Sequence, residues 1–221
     1  MGQSCKISYA PGCCRSSNEF VTVPSENLFH DDNGEMKNGL RGAYFNNITM
    51  EGEPVLTRID SKIDFNWTLY SPQQDVVNYD YYSVRWSGKL LASETGAFKI
   101  GLKSNDGYRL YINKQLIIDN WKKQSFGQIT ADYSFVKDQE YDIKIEFYET
   151  VGNVRMQLIW NMEVENKWEK EIQDAVNLSK SNDFSIVVVG IEEGEANDRA
   201  YLSLPGHQEE LIQKIAATDK P

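Results

Sequence analysis

The sequence predicts a mainly β protein, an antiparallel β sandwich or barrel inserted into a partial, doubly wound α/β domain. Three observations carry this. Through residues 38–160, short segments of alternating apolar and polar side chains recur between turns of Gly, Asn, Asp and Lys, the pattern of an antiparallel layered domain. After Trp160 the period changes to that of amphipathic helices around one continuous apolar run. A short apolar segment at residues 6–10 lies on the far side of the β region, so the α/β pattern brackets it.

Within the β region the segments at 83–91, 97–102, 108–112, 116–118, 141–148 and 154–160 read as strands. Tyr141, Ile143, Ile145 and Phe147 alternate with Asp142, Lys144 and Glu146, and Val154, Met156 and Leu158 alternate with Arg155 and Gln157. A period of two buries one face and leaves the other wet. Trp67, Trp86 and Trp160 fall inside strands and are assigned to the core. Asn105-Asp106-Gly107 reads as a tight hairpin turn in which Gly107 supplies the positive φ.

In the last quarter, Trp168, Ile172, Ala175, Val176 and Ser179 repeat at helical spacing among charged residues, which predicts an amphipathic helix. Residues 184–190 (FSIVVVG) lack polar alternation beyond Ser185, as a parallel strand covered on both faces does. A second helix is expected at 208–217, with Leu211, Ile212, Ile215 and Ala216 on one face and Pro205 near its start. One parallel strand cannot make a sheet, and residues 6–10 (KISYA) are a candidate partner. The domain assignment is therefore 1–37, an N-terminal piece of the α/β domain with a linker; 38–161, the inserted β domain; and 162–221, the C-terminal α/β piece. Insertion is tolerated where the inserted domain's ends lie close together.

The composition excludes some functions. With 33 acidic and 23 basic residues the 221-residue chain carries a formal charge of -10, which repels a phosphate backbone, so no nucleic-acid partner is expected. Mean hydropathy is -0.54 and aromatics make up 12%, values of a soluble globular protein. No apolar run has the length of a membrane span, and the N-terminus lacks a signal-peptide pattern. The compartment stays open, with a periplasmic or secreted parent in view. Cys5, Cys13 and Cys14 have no zinc-site spacing; a Cys5–Cys13 bridge is geometrically open, and free thiols are the preferred reading. Three Asn-x-Ser/Thr sequences begin at Asn47, Asn66 and Asn177, acceptors only in a eukaryotic secretory host.

The loop after the apolar run, Ile191-Glu192-Glu193-Gly194-Glu195-Ala196-Asn197-Asp198-Arg199, occupies the place where open α/β sheets bind ligands. Four carboxylates within seven residues repel one another, so one can stay protonated near neutral pH, as a general acid requires. Arg199 favours ionisation of its neighbour, most simply Asp198. A solvated acidic loop is the bland alternative.

Residues 186–190 (IVVVG), then Gly194-Glu195-Ala-Asn-Asp198-Arg199, then Leu202-Ser-Leu204-Pro205-Gly206-His-Gln208 together resemble the second, α/β domain of glycoside hydrolase family 3. Ser8-Tyr9-Ala10-Pro11-Gly12-Cys13 resembles the same family's Tyr-Ala-x-Gly-Cys element. The resemblance implies that Glu195 is the general acid/base, with Asp198 and Arg199 supporting the loop. Relatives usually carry glycine where Ala196 stands, so the loop geometry departs there and Glu192 and Glu193 are fallbacks. It implies a retaining hydrolase of terminal β-linked sugars, taking a β-linked oligosaccharide or an aryl or alkyl glycoside by double displacement between two carboxyl groups. The aspartate nucleophile belongs in that family to a barrel domain with no counterpart in this sequence, so the chain alone is expected to be inactive, with the missing barrel as its partner. No cofactor is implied.

The inserted region resembles the β domain first recognised in anthrax protective antigen, on Asn38-Gly-Leu-Arg-Gly-Ala-Tyr44-Phe45, Val84-Arg-Trp86-Ser-Gly88, Ser104-Asn-Asp106-Gly107-Tyr-Arg-Leu-Tyr111 and Leu116-Ile-Ile-Asp119-Asn-Trp121. In family 3 enzymes this domain is expected to restrict which sugars fit. In adhesin relatives an acidic pair at the 105–106 position holds calcium and through it a sugar; Asn105 removes one carboxylate from a site that wants several oxygens, and no metal is assigned. Trp121, Phe126 and Asp106 are the candidate sugar contacts, and Tyr79, Tyr81 and Tyr82 form a second aromatic cluster; core packing is the default use of any one ring. A carbohydrate-binding or adhesion module without a catalytic parent is the competing reading.

Overall fold

The computed structural model describes residues 6–13, 19–164, 167–191 and 203–218. Two compact units emerge: one from Phe20–Glu163, the other from Met1–Glu19 together with Val164–Pro221.

The larger unit holds thirteen strands: β1 (Val21–Thr22), β2 (Leu28–Asp32), β3 (Glu35–Asn38), β4 (Leu40–Phe45), β5 (Leu56–Asp60), β6 (Asp64–Asn66), β7 (Tyr82–Leu91), β8 (Gly96–Ser104), β9 (Gly107–Ile112), β10 (Gln115–Asn120), β11 (Gly127–Phe135), β12 (Glu140–Glu149) and β13 (Arg155–Trp160). One sheet runs β1-β13-β8-β11, with β6 also on β13; the other runs β10-β9-β12-β7-β2-β3, with β4 on β7 and β5 on β4. Every pairing is antiparallel. The alternating phase of β12 points Tyr141, Ile143, Ile145 and Phe147 inward, where they join Trp86, Leu110, Leu102, Leu158 and Trp160 in one core drawn from both sheets. The predicted sandwich and its core tryptophans are thus present: Trp86 and Trp160 are fully buried and Trp67 nearly so.

Two expectations need correction here. The β unit takes in residues 20–37, which a boundary at 38 left outside. β1 pairs with β13 through Val21↔Trp160, and β2 pairs with β7 through Leu28↔Leu90. These strands are too short, or in β3 too uniformly exposed, to show a period. The second correction concerns 105–106, which is not a hairpin turn: β8 and β9 lie in opposite sheets, so the link crosses the sandwich. The positive φ, 47°, falls on Asp106. Gly107 is needed for space instead, because a Cβ there would collide with the Tyr148 ring.

The smaller unit contains α1 (Lys167–Lys180) and α2 (Gln208–Ala216), close to the predicted helices. Ile172 and Val176 of α1 meet Leu211 and Ile215 of α2, with Cys13, Trp168, Ala175 and Val187 packed around them. The Trp168 ring stacks on His207 at 3.5 Å. Residues 184–190 do not form the expected buried parallel strand, nor do residues 6–10 form a strand. Ile186 and Val188 are 81% and 89% exposed, because no described strand lies beside them to supply hydrogen bonds and cover. Cys5 and Cys14 lie outside the described residues. No described helix is long and apolar enough to cross a membrane.

Candidate functional site

The loop proposed to carry the acid/base chemistry, with Glu192, Glu193, Glu195, Asp198 and Arg199, lies outside the described residues. Its two anchors are described. Gly190 at its start is held by Gln208, and Leu204 beyond it donates its N–H to Glu209 Oε1 at 3.0 Å.

The other sequence candidates, Asp106, Trp121 and Phe126, come together at one end of the sandwich. Four connections meet there: residues 67–81, 105–106, 121–126 and 150–154. The Asp106 N–H donates to Gln124 O at 3.0 Å, and Asp106 Oδ2 accepts from the Thr150 N–H at 2.8 Å and the Thr150 hydroxyl at 2.7 Å. Asn105 Oδ1 accepts from the Arg155 N–H at 3.1 Å, and the Tyr81 N–H donates to Thr150 O at 3.1 Å. Asp106 is buried, so its geometry is that of a tie between loops rather than of a group presented to a ligand.

Trp121 meets the edge of Tyr148 with centroids 4.7 Å apart, and the Arg109 guanidinium lies 4.5 Å over its ring. Arg109, Asp119, Asn120, Trp121 and Lys122 line a shallow, open depression. Phe126 is 37% exposed, with Lys103 Nζ 5.3 Å and Arg155 Cζ 5.4 Å from its centroid. Of the tyrosine cluster, Tyr82 is buried while Tyr79 and Tyr81 are exposed.

Sequence reasoning missed Glu149. It is 1% exposed, and neither carboxyl oxygen has a hydrogen-bond partner. Burial first, then the neighbouring Asp106 and Asp80, pushes its pKa up to about 8, with Lys123 opposing; the group is therefore mostly neutral at pH 7. The Tyr82 hydroxyl is likewise buried without a partner and pushed up by burial and by Glu149. A signal existed: residues 141, 143, 145 and 147 define the inward phase of β12, and Glu149 falls on it. Among the described residues, no group of three or more His, Cys, Asp or Glu side chains is arranged to hold a metal ion.

The fold defines an antiparallel β-sandwich module with exposed rings and cations on the loops of one end. The chain belongs to the PA14 domain family, whose model matches residues 36–174. It is 35% identical over 129 residues to the anti-sigma-I factor RsgI3 of Acetivibrio thermocellus, a match covering 58% of this chain and 20% of that protein. It is 23% identical over 233 residues to a xylan 1,4-β-xylosidase of Xylanibacter ruminicola, covering 97% of this chain and 26% of that one. The crystal structure of a β-glucosidase from Kluyveromyces marxianus in complex with glucose matches 97% of this chain and 28% of its own, with a TM-score of 0.60 at 19% identity, a likeness of fold. The chain thus spans 20% and 26% of the length of the two curated relatives, and glycosidases are among its homologues.

Proposed function

We propose that the chain is a piece of a retaining β-glycosidase acting on terminal β-linked sugars, with the β unit inserted in the α/β domain and restricting which sugars fit. One observation carries the reading: the xylosidase match runs through both units, over 97% of the chain. In this reading Glu195 protonates the leaving oxygen and then activates water, Asp198 and Arg199 support its loop, and the nucleophile comes from a barrel domain elsewhere in the parent. The 221-residue chain by itself releases no nitrophenol from an aryl β-glucoside, and release in proportion to purified chain would refute the reading. In a parent carrying such a barrel, Glu195→Gln lowers kcat by about 10²–10⁴-fold on substrates with poor leaving groups, and much less where the leaving group needs no proton.

A second reading has its own support, since the match to the anti-sigma-I factor stops at 58% of the chain. It makes the β unit a carbohydrate-binding or adhesion module without a catalytic parent. Glycan binding by the chain, combined with a parent gene lacking any barrel domain, would select it.

A further inference from the structure

Seven of the fifteen Lys and Arg residues of the β unit are engaged by carboxylates among the described residues. Arg58 meets Asp60, Arg85 and Lys144 meet Glu146, Lys89 meets Asp142 and Arg109 meets Asp119. With a formal charge of -10 on the chain, carboxylates are not scarce. Lys103 and Arg155 are among the eight that are not so engaged, and these two share one aromatic ring. Neither side chain makes an ion pair or a hydrogen bond among the described residues; the two flank the exposed Phe126 ring at 5.3 and 5.4 Å.

The backbone beneath this group is fixed. Ser104 pairs with Gly127 on one side and Met156 on the other, which sets Phe126, Lys103 and Arg155 at one end of the same sheet. The Ser104 hydroxyl donates to Arg155 O at 2.8 Å, and Asn105 bonds the Arg155 N–H. Lys103 is registered between Gln128 and Gln157, so two amides lie on its side of the sheet. Carboxylates at this end of the sandwich have partners of their own: Asp64 accepts from Gln157 Nε2 and meets Lys62, Asp106 holds Thr150, and Asp119 holds Arg109. Glu149 is largely uncharged at neutral pH. Two cations without counterions, an exposed ring and two amides therefore share one rigid surface.

A pyranose stacks its apolar face on an aromatic ring, and a uronic acid adds a carboxylate at the edge of that same ring. A guanidinium recognises a carboxylate through paired N–H donors, and an ammonium supports it as a point charge. We propose that the Phe126, Lys103 and Arg155 surface binds a uronic acid residue of an acidic glycan, with Phe126 under the sugar ring and the two cations at its carboxylate. The proposal rests on reading the chain as carbohydrate-directed, and not on its being part of a hydrolase.

The test is calorimetric titration of the 221-residue chain with a β-linked oligomannuronate, its methyl ester, the neutral β-linked mannan oligosaccharide and sulfated dextran. The free acid binds, the ester and the neutral sugar bind at least about tenfold more weakly, and added salt weakens the acid. Lys103→Gln and Arg155→Gln each weaken acid binding by about tenfold, and Phe126→Ala removes it. Lys99→Gln, on the same strand but away from Phe126, leaves it unchanged; circular dichroism verifies that all four variants are folded. Equal affinity for acid and ester overturns the proposal while leaving the glycosidase reading intact. Sulfated dextran binding as tightly as the acid, and insensitive to Phe126→Ala, overturns it as general polyanion attraction. Binding of none of these glycans overturns it as well, and the hydrolase reading then stands on its own assay.

Discussion

Gln208 pairs with both backbone polar groups of Gly190. The Gly190 N–H donates to Oε1 at 2.8 Å, and Nε2 donates to Gly190 O at 2.9 Å and to Pro205 O at 2.8 Å. A buried side-chain amide thereby does for the end of residues 184–190 what a neighbouring strand would do, and fixes where the following loop begins. Gln208→Ala strands both groups of Gly190, so a loss of about 2 kcal/mol in local stability is expected. Hydrogen exchange at the Gly190 amide reads this as an acceleration of about thirtyfold. Gln208→Glu keeps the acceptor but loses the donor, and falls between.

Asp60 is the polar hub of the sandwich core. Its Oδ2 accepts from the Tyr44 hydroxyl at 2.6 Å and the Trp86 indole N–H at 2.7 Å, while Oδ1 takes the Arg58 Nε–H at 2.7 Å. Tyr44 and Trp86 are fully buried, so without Asp60 two donors lose their acceptor away from water. Asp60→Ala is expected to cost about 3–5 kcal/mol, seen as a fall in Tm of about 10 °C. Trp86→Phe removes one donor, and the double variant should lose less than the two single losses combined.

Glu149 makes stability depend on pH in a defined direction. Its pKa rises from an ordinary 4.5 to about 8 in the folded protein, so the native state keeps a proton that the unfolded chain gives up between those values. The contribution is complete below about pH 4.5 and lost as pH rises through about 8, at most about 5 kcal/mol for a shift of this size. Glu149→Gln keeps the shape and removes the titration. Urea unfolding at acidic and alkaline pH should show the decline in the natural protein and a nearly flat profile in the variant; parallel profiles would place the decline elsewhere.

The sandwich was legible because period-two alternation reports burial residue by residue, as in β12. The 105–106 link was not: a two-residue connection rich in Asn, Asp and Gly reads alike whether it turns a hairpin or crosses between sheets, and only the pairing of β8 with β11 and β9 with β10 distinguishes them. Asp60 was illegible for a related reason, since Tyr44, Arg58 and Trp86 converge on it from three strands. Glu149 could have been found, as an acid on an apolar phase. Of the loop-end candidates, Phe126 stands on the surface, whereas Lys103 and Arg155 are distant from it in sequence or lie on another strand and give no local signal. The acidic loop is marked as a candidate by its place after the apolar run and by its carboxylates, Glu195 is singled out within it by resemblance, and the loop lies outside the described residues.

Residues 184–190 set one contrast that separates apolar character from burial. Val187 packs against the α1 and α2 cluster, whereas Val188 is 89% exposed. In the 221-residue chain, Val187→Asp places a charge against apolar side chains and should lower the stability of the smaller unit by about 2 kcal/mol or more. Val188→Asp changes almost nothing, within about 0.5 kcal/mol, and reduces self-association by removing exposed apolar surface. Thermal unfolding and light scattering measure the two effects. In a parent that supplies neighbouring parallel strands, both faces of this segment would be covered and Val188→Asp would become as damaging as Val187→Asp. Tolerance of Val188→Asp in both proteins would mean that the segment gains no strand partner, and would remove the α/β domain from the proposed architecture.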